Sequence, residues 1–313
     1  MLLNSNLKTS DSEIKKILDW MLWHMRLGHA SLNYRRQLQK IHNELKDIKF
    51  DESIKDCEIC ILAKMEKQPF TEIRTRADKP LYRIHTDLMG PIKPVSLPGE
   101  NKFIISFIDD FSRYTKIYSV KKKHQVGECL RKNLQNTRNI LGDNKKVCYI
   151  RADNAKEYLH GSFLDVMNKE KIDNDFASTY TPELNGTAER FNVSIQWKIR
   201  YSLIDSGLPP SIWILAAEAV THMYNRTPQK SNNFIMPLEK LAPKLKLHLE
   251  KIKRFGCIEN VRIPISDTKF SERAIKSVLV GFSNSGYVLW NPPSRKFLCS
   301  RHVRFNEKLV KKN

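Results

Sequence analysis

The order of β-rich and helical segments between residues 82 and 226 is the feature that most limits what this chain can fold into. Three short runs typical of β-strands come first, at 82–92, 102–112 and 114–120, and a fourth apolar run with a polar end covers 146–154. Strands first and helices interleaved afterwards predict a mixed α/β sheet with helices on its faces. Apolar residues at helical spacing cover 123–141, 161–169, 186–206 and 210–226, the last with proline in its first turn.

The last quarter of the chain is basic and rich in short β runs. Five such runs follow a basic stretch at 236–253, and the turns between them carry Pro, Gly, Asn and Ser, which favours a small barrel. Residues 236–313 hold 17 lysines and arginines against six acidic residues, so we expect this part to bind phosphate groups. The predicted divisions of the chain are a small helical N-terminal domain at 12–75, an α/β core at 80–235, a basic linker at 236–253 and the barrel at 254–308.

The chain as a whole is strongly basic. Among its 313 residues, 54 are lysine or arginine and 34 are acidic, which gives a formal net charge of +20. Such an excess indicates a polyanionic partner, with nucleic acid as the leading candidate and a merely soluble basic surface as the alternative. No run approaches the roughly 18 apolar residues of a membrane span. The N-terminus lacks the basic and apolar regions of a secretory signal, so we expect a chain that is not secreted.

Three acidic residues lie at or near the ends of predicted strands and helices. Asp87 lies in the first β run, Asp153 ends the fourth, and Glu189 opens the helix at 186–206. Taken singly, they have ordinary explanations: an edge-strand polar residue, a turn former and a charge that complements a helix dipole. If the first and fourth strands are neighbours and the helix packs beside them, the three carboxylates converge. Converged carboxylates need a neutralising cation, and Mg²⁺ suits such oxygen ligands. Two ions about 3.5–4 Å apart would indicate nuclease or transesterase chemistry at phosphorus.

A second group of metal-binding residue types lies near the N-terminus. His24 and His29 are separated by four residues, and Cys57 and Cys60 by two. Two imidazoles and two thiolates suit tetrahedral Zn²⁺, and one C-x-x-C pair in a chain without a secretory signal suggests metal rather than a disulfide. The alternative is two histidines on a helix face and two reduced, buried cysteines.

The words HTDLMGP, FIDDFSRY, RADNAKEY and YTPELNGTAERFN, with 35 residues between Asp153 and Glu189, resemble the integrase of copia-type long-terminal-repeat retrotransposons, in the retroviral-integrase-like superfamily. The resemblance covers nearly the whole chain. It implies a ribonuclease-H-like core in which Asp87, Asp153 and Glu189 hold two Mg²⁺ or Mn²⁺ ions, with Asp87 bridging both. The words LWHMRLGHAS and CEICILAK resemble the two halves of the family's zinc domain, with His24, His29, Cys57 and Cys60 as ligands.

The resemblance also places several residues at the DNA. The polar loop before Glu189 resembles the family's mobile active-site loop, in which Gly186 gives backbone freedom and Asn185 lies near the DNA ends. Arg190 and Asn192 would lie on the following helix, facing DNA or the sheet. The predicted DNA contacts are completed by Lys253 and Arg254, at the end of the basic linker.

The chain departs from the family pattern at three positions. Glu183 and Leu184 stand where the family has two glutamines, and an extra acid near a phosphate path would weaken the grip on DNA. Ala155 stands where the family has glycine, which strains the backbone if the position needs a positive φ. Asp109 and Asp110, in the matching word FIDDFSRY, are expected to end the second strand and shape a hairpin, with Arg113 as an internal partner.

The function implied by the resemblance is DNA integration. The 3′ hydroxyl ends of linear element cDNA, trimmed or used directly, would attack phosphodiesters of target double-stranded DNA. The implied assembly is a dimer or tetramer that acts in the nucleus, originates in cytoplasmic virus-like particles and does not involve a membrane.

Two alternatives stay open. One is a catalytically inactive DNA-binding remnant of a decayed element, suggested because the chain carries no aspartic-protease or reverse-transcriptase motif, which this family encodes in the same polyprotein. The other is a general nuclease with the same core, which would cut strands without joining them.

Overall fold

The computed structural model describes residues 25–26, 40, 57–59, 76–143, 145–176, 185–262, 274–283 and 285–310. The chain forms two compact units, Met1–Glu72 and Ile73–Asn313. In the first unit, the described residues with helical backbone are Met25, Arg26, Lys40, Glu58 and Ile59. The strands and helices described below belong to the second unit. None of the helices in the described ranges is long and apolar enough to cross a lipid bilayer.

A five-stranded mixed sheet lies at the centre of the second unit. Its strands are β1 (Arg83–Met89), β2 (Phe103–Asp109), β3 (Thr115–Val120), β4 (Tyr149–Arg151) and β5 (Asp173–Asn174). The strand order is β3-β2-β1-β4-β5. The first three strands pair antiparallel, whereas β4 pairs parallel with β1 and β5 pairs parallel with β4. This is the mixed α/β sheet that the order of segments predicts.

The helices described in this unit are α1 (Val126–Leu141), α2 (Lys156–Leu159), α3 (Ser162–Glu170), α4 (Gly186–Ser206), α5 (Trp213–Tyr224) and α6 (Pro237–Leu241). Four of these six described helices, α1, α3, α4 and α5, follow the predicted segments closely. A short 3-10 turn, Pro210–Ile212, precedes α5 and contains the proline that the sequence places at a helix start. The four-residue helix α2 is too short for an apolar period to reveal, and the sequence does not predict it.

The sheet is covered by helices on both faces. In β2, Ile104 and Ile108 join a buried cluster with residues of α4 and α5. The alternate residues Ile105 and Phe107 join a second buried cluster with residues of α1 and α3. A strand that is buried on both faces has an almost unbroken apolar sequence, which explains the run FIISFI.

A second, antiparallel sheet of five strands follows the core. Its strands are β6 (Cys257–Arg262), β7 (Ala274–Ser283), β8 (Gly286–Asn291), β9 (Lys296–Ser300) and β10 (Val303–Val310). They are arranged in the order β10-β6-β7-β8-β9. The five β runs of the sequence are therefore five strands, with β9 and β10 at the two edges of this sheet. Closure of the sheet into a barrel stays a prediction.

The C-terminal sheet lies in the same compact unit as the core. Val278 and Val280 of β7 join the buried cluster that contains α4 and α5, and His222 of α5 stacks on Phe282 at 4.6 Å between ring centroids. The segment predicted as a linker, 236–253, begins with α6, whose Leu238 and Leu241 are buried. The start of this segment is therefore packed against the rest of the unit, which its basic composition did not predict.

Candidate active site

Asp87 and Asp153 are brought level by the parallel pairing of β1 with β4. The register pairs Ile84 with Ile150 and His85 with Arg151. Asp87 lies two residues further along β1, and Asp153 lies two residues past the end of β4. The charge of Asp153 acts on Asp87, so the two carboxylates are near neighbours. The first and fourth strands are thus neighbours, which is the condition that the sequence argument set for convergence of the carboxylates.

Glu189 is brought to the same face by helix α4. It lies in the first turn of the helix and is exposed. One turn later, the Asn192 side-chain amide donates a 2.7 Å hydrogen bond from Nδ2 to Oδ2 of Asp87. Because residues three apart lie on neighbouring positions of a helix, this bond holds the turn that carries Glu189 against β1.

The electrostatics of Asp87 reflect its crowded position. Burial is the main cause that raises the pKa of its carboxyl above the ordinary value, and the nearby charges of Asp153 and, more weakly, Glu189 act in the same direction. The Leu88 backbone N–H and the Asn192 amide donate to the carboxylate and oppose this shift. Burial likewise raises the pKa of Asp153. The Lys123 charge opposes the shift at Asp153, and a cation bound beside Asp87 would stabilise its ionised form.

The three acids approach one another without forming a complete ligand set. Within the residues that the structure describes, no three His, Cys, Asp or Glu side chains stand close enough together to hold a metal ion. Asp87 is half-buried and fixed by Asn192, whereas the Asp153 and Glu189 side chains are exposed. The carboxylate oxygens suited to a hard divalent cation are thus present.

The predicted DNA contacts at the start of α4 fall into two groups. Asn185 and Asn192 are buried, and the Asn185 amide donates to the Thr86 carbonyl at 3.0 Å. Both side chains thus face the sheet, which is one of the two orientations expected for Asn192. Arg190 is exposed on the outer side of the same turn. The role of these residues at DNA stays a prediction.

Two backbone expectations differ from what the structure contains. Gly186 is the first residue of α4 and has no positive φ, so the backbone freedom of glycine is not used there. Ala155 has φ −68° and ψ 144° as the residue before α2, a conformation open to any residue. The departure from glycine at this position therefore costs no strain, and the Ala155 N–H donates to Oδ1 of Asp153 at 3.2 Å. Glu183 and Leu184 lie outside the described residues.

Asp110 has the structural role expected from the sequence. Its Oδ1 lies 2.6 Å from Nη1 of Arg113 and 3.0 Å from Nε2 of His85. Burial alone would raise the pKa of Asp110, but the His85 hydrogen bond and charge, the Ala77 N–H and the Arg113 charge together hold it well below its usual range. Asp110 is thus an ionised residue that anchors the hairpin between β2 and β3.

The two basic residues predicted at the end of the linker are engaged in ion pairs. Nη2 and Nε of Arg254 lie 2.7 Å and 3.0 Å from the two carboxylate oxygens of Asp205, at the end of α4. Nζ of Lys253 lies 3.4 Å from Oε1 of Glu307 on β10. These contacts tie the core to the C-terminal sheet, so the two cations are already partly neutralised.

A basic row on the C-terminal sheet was not singled out by the sequence. Arg304 of β10 pairs with Asn260 of β6, which pairs in turn with Lys276 of β7. Directly paired residues share one face of a sheet, and Arg262 lies two residues beyond Asn260 on that face. The three cations are exposed and form no ion pair within the described part of the chain. We define Arg262, Lys276 and Arg304 as the basic row. Cations at alternate positions along the short β runs are the sequence signal that could have predicted it.

The predicted zinc site lies mainly outside the described residues. This holds for His24, His29 and Cys60. Cys57 is described and half-buried. The four zinc ligands stay a prediction.

Two families of known domains match this chain, one at each end. Residues 3–65 match the family of the GAG-pre-integrase domain, and residues 257–313 match the family of the retroviral polymerase SH3-like domain. The chain is 30% identical over 293 residues to the retrovirus-related Pol polyprotein from transposon TNT 1-94 of Nicotiana tabacum, with 93% of this chain and 22% of that protein covered. It is 27% identical over 291 residues to the Pol polyprotein from transposon RE2 of Arabidopsis thaliana, with 91% of this chain and 19% of that protein covered.

Two solved structures also match, at low similarity. A chain of the simian T-cell lymphotropic virus intasome in complex with PP2A regulatory subunit B56 gamma has a TM-score of 0.45 and 15% identity, with 76% of this chain and 83% of that chain covered. The HTLV-2 integrase catalytic core domain in complex with magnesium has a TM-score of 0.36 and 20% identity, with 48% and 88% covered.

By sequence, the two ends of the chain are similar to the GAG-pre-integrase and retroviral polymerase SH3-like domain families. More narrowly, the chain is a relative of the Pol polyproteins of copia-type retrotransposons, as its motifs predict. The chain spans about a fifth of the length of the curated relatives that it matches.

Proposed function

We propose that this chain is a retrotransposon integrase that joins the 3′ ends of element cDNA to target DNA. The observation that carries the proposal is the placement of Asp87 on β1 and of Asp153 just past the parallel strand β4, with Glu189 on a helix that Asn192 ties to Asp87. The same arrangement supports assigning the core to the ribonuclease-H-like folds, whose mixed sheet the strand order β3-β2-β1-β4-β5 matches.

The side chains fit a requirement for divalent metal. Asp87, Asp153 and Glu189 offer hard carboxylate oxygens, and the raised pKa of Asp87 marks a carboxyl that lacks a neutralising partner. We propose that these three residues hold Mg²⁺ or Mn²⁺, two ions in the complete site. When bound, such ions supply Lewis acidity and stabilise charge on the attacking and leaving oxygens.

The remaining steps concern what the chain itself does. Asn192 fixes the orientation of the Asp87 carboxylate, and Asn185 binds the middle of β1 through the Thr86 carbonyl. The 3′ hydroxyl oxygen forms one bond to a target phosphorus while the bond from that phosphorus to its own 3′ oxygen breaks. The hydroxyl proton is lost to solvent and the leaving oxygen is released as a new 3′ end, so the number of phosphodiester bonds is unchanged.

DNA is proposed to bind along basic surfaces without sequence readout. The basic row (Arg262, Lys276, Arg304) presents three cations on one face of the C-terminal sheet, which suits contact with successive phosphates. Arg190, exposed beside Glu189, suits a phosphate near the reacting bond. The joining of two cDNA ends would require at least a dimer, and a tetramer in the complete assembly.

Two further features belong to the same proposal. A zinc ion held by His24, His29, Cys57 and Cys60 would organise the N-terminal domain. The nucleus would be the place of action, after assembly in cytoplasmic particles.

A strand-transfer assay tests the proposal against its two rivals. The purified chain, Mg²⁺ or Mn²⁺, a labelled duplex with the element's terminal-repeat end and a target plasmid are incubated together. Integrase activity gives labelled ends joined to target DNA. Cleaved but unjoined strands would instead indicate a nuclease, and DNA binding without either product would indicate the inactive remnant. One observation supports the inactive remnant: in the described part of the chain, the three acids do not come close enough together to form a metal-binding group.

A further inference from the structure

Helix α4 is apolar on two opposite faces, and only one of them is covered. Its inner face packs Ala188, Phe191, Ile195 and Ile199 into the core. A helix that is apolar all round is typical of one buried on all sides. The outer face, however, exposes 57% of Val193, 48% of Trp197, 60% of Tyr201 and 74% of Ile204.

These four outer residues, which we name the α4 stripe, form one continuous surface. They follow at intervals of four, four and three residues, so they lie above one another along about 16 Å of helix. Trp197 and Tyr201 stack with 6.2 Å between ring centroids, and the Arg200 guanidinium lies 4.7 Å from the centre of the Trp197 ring. An exposed apolar patch of this continuity is typical of a protein-binding surface.

Charge indicates what kind of partner fits. Arg190 and Arg200 lie on the same side of the helix as the stripe and form no ion pair within the described ranges of the chain. Asp205, at the end of the helix, is already paired with Arg254. The stripe therefore presents apolar groups with uncompensated positive charge, and an acidic amphipathic helix is its complement.

Two other occupants fit less well. A second copy related by a two-fold axis through the middle of the stripe would bring Arg200 against its own counterpart, in a chain of net charge +20. A nucleic acid could stack on Trp197, but the branched aliphatic side chains of Val193 and Ile204 offer no flat surface for bases. Apolar side chains of a partner protein would cover Val193 and Ile204, the two aliphatic ends of the stripe.

We propose that the α4 stripe is the docking site for an acidic amphipathic helix of a partner protein. Leucine-type residues at spacings of three and four would pack between Val193, Trp197 and Ile204, in the geometry of paired helices. Carboxylates beside them would bind Arg200, which its contact with Trp197 holds in place. The four residues of the stripe and Arg200 have no part in the proposed chemistry, because they lie on the face of α4 opposite the core.

The test uses the full chain and fluorescein-labelled synthetic peptides, with binding followed by anisotropy. One peptide is an acidic amphipathic helix with leucines at 3–4 spacing, a second has the same composition in scrambled order, and a third replaces each glutamate by lysine. We expect the first peptide to bind at least about tenfold more tightly than the others. Trp197→Ser should reduce its affinity by at least about tenfold, whereas Leu97→Ser, which removes an exposed apolar side chain far from α4 in sequence, should leave it unchanged.

Charge exchange at Arg200 gives a second readout that does not depend on a loss. Arg200→Glu should lower the affinity for the acidic peptide and raise the affinity for the lysine peptide. The proposal is overturned if the scrambled peptide binds equally well or if Trp197→Ser has no effect. It is also overturned if Trp197→Ser turns a dimer into a monomer in sedimentation, which identifies a second copy as the occupant. Loss of duplex DNA binding by Trp197→Ser with peptide binding intact would overturn it in favour of nucleic acid.

Discussion

The Asn192 amide donates a 2.7 Å hydrogen bond from Nδ2 to Oδ2 of Asp87, and this bond joins the central strand of the core to the helix that carries Glu189. It fixes the orientation of a half-buried carboxylate whose pKa is raised chiefly by its burial. Asn192 is therefore a positioning residue for the candidate metal ligands.

Asn192→Ala should lower strand transfer by about 10–100-fold, the range typical of residues that orient metal ligands. The apparent Mg²⁺ requirement should rise in parallel, because Asp87 loses its fixed orientation; a titration of rate against Mg²⁺ concentration measures both effects. Gln196→Ala is the matched control, since Gln196 lies one turn further on α4 and donates a hydrogen bond to the Met89 sulfur at 2.8 Å instead of to Asp87. A normal Mg²⁺ titration for Asn192→Ala would remove the positioning role.

A buried carboxyl in the C-terminal sheet predicts a pH effect on stability. Glu259 is fully buried on β6 and accepts a 3.0 Å hydrogen bond from Sγ of Cys257. Burial raises the pKa of Glu259 from 4.5 to about 7, and the charge of Glu307 adds to this. Because the folded chain holds this proton more tightly than the unfolded chain, the contribution of Glu259 to stability is greatest below pH 4.5 and is lost as the pH rises through 7.

The variant Glu259→Gln isolates this contribution. Its free energy of unfolding should match that of the wild type near pH 4.5 and exceed it at pH 8 by on the order of 3 kcal/mol, the equivalent of the pKa difference. Urea unfolding of both proteins at the two pH values measures the difference. If the free energies of unfolding of the wild type and Glu259→Gln differed by the same amount at both pH values, Glu259 would not titrate as described.

The basic row and the paired cations Lys253 and Arg254 should contribute differently to DNA binding. Lys276→Gln and Arg304→Gln should each lower the slope of log affinity against log salt concentration by about 1, as expected for the loss of one phosphate contact. Lys253→Gln should change the slope less, because Lys253 is neutralised by Glu307. A salt titration of duplex binding measures these slopes. If Lys253→Gln lowered the slope more than Lys276→Gln and Arg304→Gln, the DNA would instead run over residues 236–253, the segment predicted as a linker.

Removal of zinc tests the metal site proposed for the N-terminal domain. If His24, His29, Cys57 and Cys60 hold zinc, chelation should unfold residues 15–70 and leave the core folded. Elemental analysis should find one zinc ion per wild-type chain and none after Cys60→Ser. Hydrogen exchange should report loss of protection before residue 72 with the β1–β4 region unchanged. A zinc-free wild-type chain with full protection of that domain would contradict the zinc assignment.

The elements with a clear period were predictable from sequence, and contacts between distant residues were not. The strands β1 to β3 and the long helix α4 follow apolar spacing, which is a local property. The bond from Asn192 to Asp87 depends on how α4 crosses the sheet, and no local pattern encodes it. Position 155 illustrates the same limit, since only the backbone shows that Ala155 is unstrained.

The C-terminal sheet offers a similar contrast. Its five strands were predicted, but its packing on α5 through Val278 and Val280 was not. The unbroken run SVLVG at 277–281 is a signal of burial on both faces that the sequence carries. The pairing of Arg254 with Asp205, in contrast, joins residues 49 positions apart and could not be read locally.

The measurement that tests the central claim most directly is strand transfer by the wild type beside Asp87→Asn, Asp153→Asn and Glu189→Gln, with duplex binding measured on the same preparations. These changes keep the size of each side chain and remove its charge. The account predicts joined products from the wild type alone and similar DNA affinity for all four proteins. Normal joining by any one variant would exclude that residue from the metal site and contradict the proposed active site.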